Sequence, residues 1–192
     1  MATLAAPDLA RYSRVAIWLH WIIAFLIVVN LLLGFFREDF DRPVRAVLMG
    51  WHKSIGFTVI ALTLARIGWR LTHRPPPFDP AMRAWEVGLA RLVHALFYLL
   101  LLAIPLSGWL IVSSGEKVNP TAFYWLFKIG PLPVTPGEDL HELAEEAHEI
   151  LGYAMLGLLA LHIGGALKHV FDGHRRLIGR MAPWVGASDR AP

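Results

Sequence analysis

The sequence predicts an all-α fold, an integral membrane four-helix bundle whose N and C termini are both cytoplasmic. Composition is the first reason. Of the 192 residues, 56% are hydrophobic and only 17% charged, and the mean hydropathy is positive, a balance that soluble domains do not reach. Segmentation is the second. The apolar residues fall into four runs, and a hydrocarbon core of ~30 Å needs about 20 residues of helix per crossing. Four such spans with their loops use up the chain, so a single transmembrane domain over 1–192 is expected, with helices at about 15–36, 47–70, 87–113 and 143–171.

The first run, Val15 to Phe36, carries one ionisable residue, His20, and one amide, Asn30. A cleaved signal peptide would have a shorter apolar core and a small-residue cleavage site, so a retained helix is expected. The second run contains Trp51, His52 and Lys53 near its start and ends on Arg66 and Arg70, before His73-Arg74-Pro75-Pro76-Pro77 stops any helix. The third carries Arg91 and His94 near its start, then Pro105 and Gly108, where it can bend. Asn119-Pro120, Gly130-Pro131 and Pro136-Gly137 mark a loop. The fourth run follows, and the tail from Asp172 is polar and basic.

The cations orient the bundle. Twelve of the eighteen fall on one side: Arg11, Arg14, Arg66, Arg70, Arg74, Arg83, Arg91, Lys168, Arg175, Arg176, Arg180 and Arg190. Arg37, Arg42, Arg45, Lys53, Lys117 and Lys128 fall on the other, with most of the acids. The richer side is cytoplasmic. Because the cations lie between apolar runs and form no single basic face, no nucleic-acid partner is expected.

Cysteine is absent, which excludes disulfides, thiolate ligands, iron–sulfur clusters and covalently attached c-type haem. Any metal must be held by nitrogen or oxygen, and nine histidines are present to hold it. A buried ionisable group is costly in hydrocarbon, so a histidine within a span is a functional candidate by default. Four of them match in depth. His20 and His162 lie at similar distances from the cytoplasmic ends of their helices, and His52 and His148 at similar distances from the outer ends. His148 and His162 are 14 residues apart, which on a helix is about 21 Å of rise and an angular offset of about 40°. Both therefore look inward from one face at two depths. Opposed imidazoles at two levels suit two planar cofactors, giving two haem b groups with His20 and His162, and His52 and His148, as metal ligands. Glycine follows His52 and His148 at Gly56 and Gly152, and Gly164 and Gly165 follow His162, leaving room for a porphyrin edge near backbone. Met155, midway between the fourth-helix histidines, fits core packing.

Other residues carry weaker signals. His94, near the inner level without a partner, suits a haem propionate, a quinone or a structural hydrogen bond. His141 and His169 extend the fourth-helix stripe to the membrane surfaces. Arg14, Arg70 and Arg91 could neutralise propionates, or simply snorkel. His141-Glu142-Leu143-Ala144-Glu145 has glutamate where a zinc-protease helix has its second histidine. The acids from Glu138 to Glu149 fit a solvated helix start. No phosphate-cradling glycine loop is present, so reducing equivalents must come from the lipid phase or a partner.

Taken together these residues make the chain resemble the bacterial cytochrome b561 family of four-helix di-haem membrane cytochromes. The resemblance rests on Arg11-Tyr12-Ser13 with His20-Trp21, on His52-Lys53-Ser54-Ile55-Gly56 with Arg66, Trp69 and Arg70, and on Pro75-Pro76-Pro77. It continues through His94 before Tyr98-Leu99-Leu100, Ser107-Gly108, His148, and Leu161-His162 to Lys168-His169. It implies an inner haem on His20 and His162, an outer haem on His52 and His148, and a place in the bacterial inner membrane. It also implies quinone or quinol as substrate, with superoxide or a periplasmic electron-transfer protein on the outer side. The stretch His52 to Gly56 looks more like the members that serve as quinol-linked carriers. The resemblance leaves an oxidoreductase activity open, as quinone-linked electron transfer with superoxide oxidation one form of it. Two rival readings stay open: a membrane-anchor cytochrome subunit of a larger dehydrogenase, and a haem-free bundle for transport or scaffolding.

Overall fold

The computed structural model describes residues 11–80, 82–172 and 175–182, apart from the side chains of residues 175 and 176; Arg190, counted with the inner cations, lies outside the described residues. Four long helices dominate: α1 (Arg14–Phe35), α2 (Arg42–Thr72), α3 (Ala84–Ser114) and α4 (Glu138–Phe171), followed by the short α5 (Arg175–Gly179). Each of the four is long and apolar enough to cross a membrane, and their even number returns the end of α4 to the side on which α1 begins.

The helices start earlier than the apolar runs because those runs mark only the part in hydrocarbon. Ser13 caps α1, its hydroxyl accepting from the Ala16 N–H at 3.3 Å. α2 starts at Arg42, with Asp41 before it and Pro43 in its first turn, a residue that tolerates that position well. The Glu86 carboxylate closes the start of α3 by accepting from the Arg83 N–H at 2.9 Å. α4 starts at Glu138 with Glu138 and Asp139 in its first turn, where carboxylates meet the positive end of the helix dipole. α3 runs on through Pro105.

Close packing follows the chain, α1 on α2, α2 on α3 and α3 on α4. By comparison α4 stands off from α1 and from α2. The mid-depth core, which includes Ile23, Val59, Leu100 and the fully buried Met155, fills the bundle between the two histidine levels. The outward faces carry exposed Trp18, Phe25, Leu99, Ile150 and Phe171, a surface that lipid covers in an integral membrane protein.

The connection between α3 and α4, expected as a loop, holds an antiparallel hairpin of β1 (Thr121–Phe123) and β2 (Phe127–Ile129), with Phe123 opposite Phe127. At its tip Tyr124 and Trp125 take φ of 45° and 60°, the left-handed pair of a tight hairpin turn that glycine or asparagine usually fills. The turn closes with the Leu126 N–H donating to the Phe123 carbonyl at 2.9 Å. Its sequence carries no glycine at these positions, which is why turn chemistry did not announce it.

Candidate functional site

The helix pairs that stand apart are those whose histidines face each other. At the outer level the rings of His52 on α2 and His148 on α4 have centroids 6.0 Å apart. At the inner level His20 on α1 and His162 on α4 are 6.2 Å apart. One metal ion bound by two opposed imidazoles, with bonds of roughly 2 Å and ring centroids about 1 Å behind the nitrogens, requires a separation of about 6 Å. The donors on offer at each level are a pair of imidazole nitrogens, and no group of three or more metal-binding side chains is found among the described residues.

The outer rings are held from behind. His52 Nδ1 lies 3.1 Å from the Asn30 carbonyl of α1, and His148 Nδ1 lies 3.0 Å from the Ile104 carbonyl of α3. A carbonyl oxygen only accepts, so Nδ1 carries the proton in both rings and each Nε2 keeps its lone pair. The Ser107 hydroxyl, also 3.0 Å from His148 Nδ1, donates to the Ile104 carbonyl at 2.8 Å. Ring position is then enforced by two glycines. A Cβ at Gly108 would sit 3.0 Å from His148 Cε1, and one at Gly34 would sit 3.2 Å from His52 Cε1. Each ring therefore leans on bare backbone of a neighbouring helix, a requirement no spacing within one helix could reveal.

Gly108→Ala is expected to push the His148 ring off its carbonyl and to cost about 1–3 kcal/mol, as overpacking does. A thermal melt with an absorbance spectrum on the same sample would check this. An unchanged melting point with an unchanged spectrum would show that the ring has room to give.

The inner level holds a third ring. His94 on α3 lies with its centroid 6.0 Å from that of His162, and its Nδ1–H donates to the Ala90 carbonyl of its own helix at 2.7 Å. Phe97 packs its ring on His162 at 5.2 Å. His94, with no partner assigned to it by depth, thus stands as close to His162 as His20 does.

Below this level a cavity of about 240 Å³ opens between α1, α2 and α3. Arg11, Arg66, Arg70 and Arg74 line it, with Tyr12, Trp69, His73, Tyr98 and Met181. Arg66 Nε–H donates to the Tyr98 hydroxyl at 3.2 Å, Trp69 Nε1–H donates to Ser13 Oγ at 2.9 Å, and His73 stacks on Trp69 at 3.7 Å with 5° between the ring planes. Arg70 is part of this lining, whereas Arg14, at the first position of α1, is exposed and outside it. His169 occupies the last turn of α4, one heptad beyond His162. The spacing of Arg66 and Arg70 on one face of α2, with His73 just past its end, was the available signal for this cavity, but the same spacing reads equally as a snorkelling face.

The glycines expected to border a porphyrin divide. Gly164 and Gly165 have no atom within 4 Å of an added Cβ, while Gly56 meets the Pro105 ring at 3.6 Å and Gly152 meets Phe35 at 4.0 Å. On the outer surface, His141 Nε2 lies 3.4 Å from Glu145 and its Nδ1–H donates to the Ile111 carbonyl at 3.0 Å.

Comparison with known proteins agrees with this architecture. The model of the family described as prokaryotic cytochrome b561 matches residues 11–184. Cytochrome b561 homolog 1 of Escherichia coli is 27% identical over 90% of this chain and 97% of its own length. Cytochrome b562 of Cereibacter sphaeroides is 31% identical over 88% of this chain and 94% of its own. The probable superoxide oxidase CybB of Yersinia pestis is 25% identical over 90% and 96%. The facing histidines of a four-span bundle and a match over nearly all the chain lead to one conclusion: it belongs to the prokaryotic cytochrome b561 family, membrane cytochromes that bind b-type haem and transfer electrons.

Proposed function

We propose that the chain holds two haem b groups, an inner one between His20 and His162 and an outer one between His52 and His148. Through them it passes single electrons across the bilayer, between quinone and a reactant on the outer side. One observation carries this reading: two facing imidazole pairs with centroids 6.2 and 6.0 Å apart, on helices that do not pack closely, at two depths of one bundle. Haem held by these histidine pairs would supply one-electron chemistry, and His20, His162, His52 and His148 would occupy the positions that oxygen needs.

The chain's own residues then do the tuning and the access control. The Asn30 and Ile104 carbonyls fix the tautomer of His52 and His148 and raise the basicity of each Nε2. The buried layer around Met155 keeps water out between the levels. The inner cavity takes the quinone headgroup: Trp69, Tyr12 and Tyr98 supply flat walls, and Arg66 and Arg70 supply donors for a quinone oxygen. Quinone needs two protons with its two electrons, and the exposed Arg70, His73 and Arg74 leave the cavity open to the inner aqueous side.

On the outer side, superoxide is the reactant that the name of the Yersinia pestis relative suggests. Of three cations that could attract it, Arg45 is already paired with Glu38 at 2.7 Å, which leaves Lys53 and Lys128. The pairing weakens that reading.

The test is the haem-to-protein ratio of the purified protein with a reduced-minus-oxidised spectrum. Two haems per chain with low-spin b-type bands are expected. One haem would make one pair structural, and none would return the chain to a haem-free bundle. In the quinone-reductase assay, Arg70→Ala is expected to raise the KM for quinone roughly tenfold, the loss of about one charged hydrogen bond. An unchanged KM would move the quinone elsewhere.

A further inference from the structure

The hairpin joins the bundle where an aqueous loop would not. Its tip reads Tyr124-Trp125-Leu126-Phe127, and Trp125, Leu126 and Phe127 are 57%, 79% and 56% exposed. Two aromatic residues hold left-handed backbone there, a conformation that costs any residue but glycine, so their side chains must contribute something glycine would not. Tyr124 turns inward: its N–H donates to Ser54 Oγ at 2.9 Å, and its hydroxyl meets Thr58 Oγ1 at 3.0 Å. Trp125 lies over Gly50, where a Cβ would come within 3.0 Å of its indole, and Trp51 packs edge-on against both rings at 5.4 and 5.3 Å.

Those anchor points set the depth. Gly50, Trp51 and Ser54 belong to the apolar run of α2 that begins at residue 47, and Ser54 is fully buried. At ~1.5 Å per residue the tip is docked about 5–10 Å below the start of that run. Its exposed apolar side chains continue outward from α2 through Val44, Val47 and Trp51, which are exposed as well, so the tip extends the lipid-facing belt of the bundle. Two of its backbone N–H groups are satisfied locally, Tyr124 by Ser54 Oγ and Leu126 by the Phe123 carbonyl, in keeping with what membrane depth demands. An exposed tryptophan with a lysine three residues on, here Trp125 and Lys128, fits the bilayer interface, where a ring lies among headgroups and an ammonium snorkels to phosphate.

We propose that the tip of the hairpin, Tyr124 to Phe127, is seated in the interfacial zone of the outer leaflet, with phospholipid as its partner. The connection is then a membrane-seated clasp on the turn of α2 that carries His52. The absence of cysteine makes the test clean. Leu126→Cys, carrying a nitroxide in a phospholipid nanodisc, is expected to collide several-fold more with dissolved oxygen than with a water-soluble nickel complex. Glu116→Cys, outside the tip, is expected to show the reverse. A label at residue 126 that favours the nickel complex as residue 116 does would overturn the proposal and make the hairpin an aqueous lid. A label shielded from both relaxants would overturn it in favour of a protein partner or a second copy. Because Leu126 points outward, an unchanged melting temperature serves as the folding control, independent of haem content.

Discussion

Replacing His148 with alanine is expected to lower the haem-to-protein ratio by about half, with the outer haem lost and the inner one kept. Among the described residues His52 and His148 form the only pair of imidazoles at that level, so no neighbouring imidazole can take over the vacated side. A single imidazole does not hold a low-spin b-type centre closed on both faces. The substitution also frees the Ile104 carbonyl, which keeps the Ser107 hydroxyl as a donor at 2.8 Å, so the bundle should still fold. Haem content by pyridine haemochrome and the low-spin bands of the remaining centre would decide. Retention of both haems would refute the outer pairing even if the inner one stands.

The inner level poses a sharper alternative, because His162 has two neighbours at nearly equal distance, His20 at 6.2 Å and His94 at 6.0 Å. Packing distinguishes them. α3 and α4 are the most closely packed helices, while α1 and α4 stand apart. A macrocycle between His94 and His162 would have to force closely packed helices away from each other, whereas one between His20 and His162 enters an existing gap. His20→Ala is therefore expected to abolish the inner haem, again about half of the total, and His94→Ala to retain it with a small spectral shift. The reverse pattern would assign the inner centre to α3 and α4 and leave His20 as a neighbour of Trp21, with which its ring makes an edge contact at 5.3 Å.

Much of this molecule is written in properties that act over short stretches of chain. Hydropathy set out four spans because each crossing must satisfy its backbone within itself, and helix ends strayed by a few residues where Asp41, Pro43 and Gly137 continue helices into water. Depth along a helix is likewise arithmetic on residue number, and for that reason the four histidines could be matched by level before any packing was known. The alternation of cations gives the orientation expected of the whole.

Rotation about each helix axis and the gaps between helices are not local. They decide that Gly34 and Gly108 back the outer rings, that His94 crowds His162, that Arg66 meets Tyr98 across two helices, and that Ser54 holds the turn of a hairpin some seventy residues away. By itself, then, the sequence determined how many membrane-length spans the chain has and which histidines share a depth, because periodicity and burial cost act residue by residue, and its cations give the orientation expected by charge. Only the tertiary structure decided which rings face each other, what stands behind them and where the inner cavity opens, because those depend on side chains from different helices packing into one space.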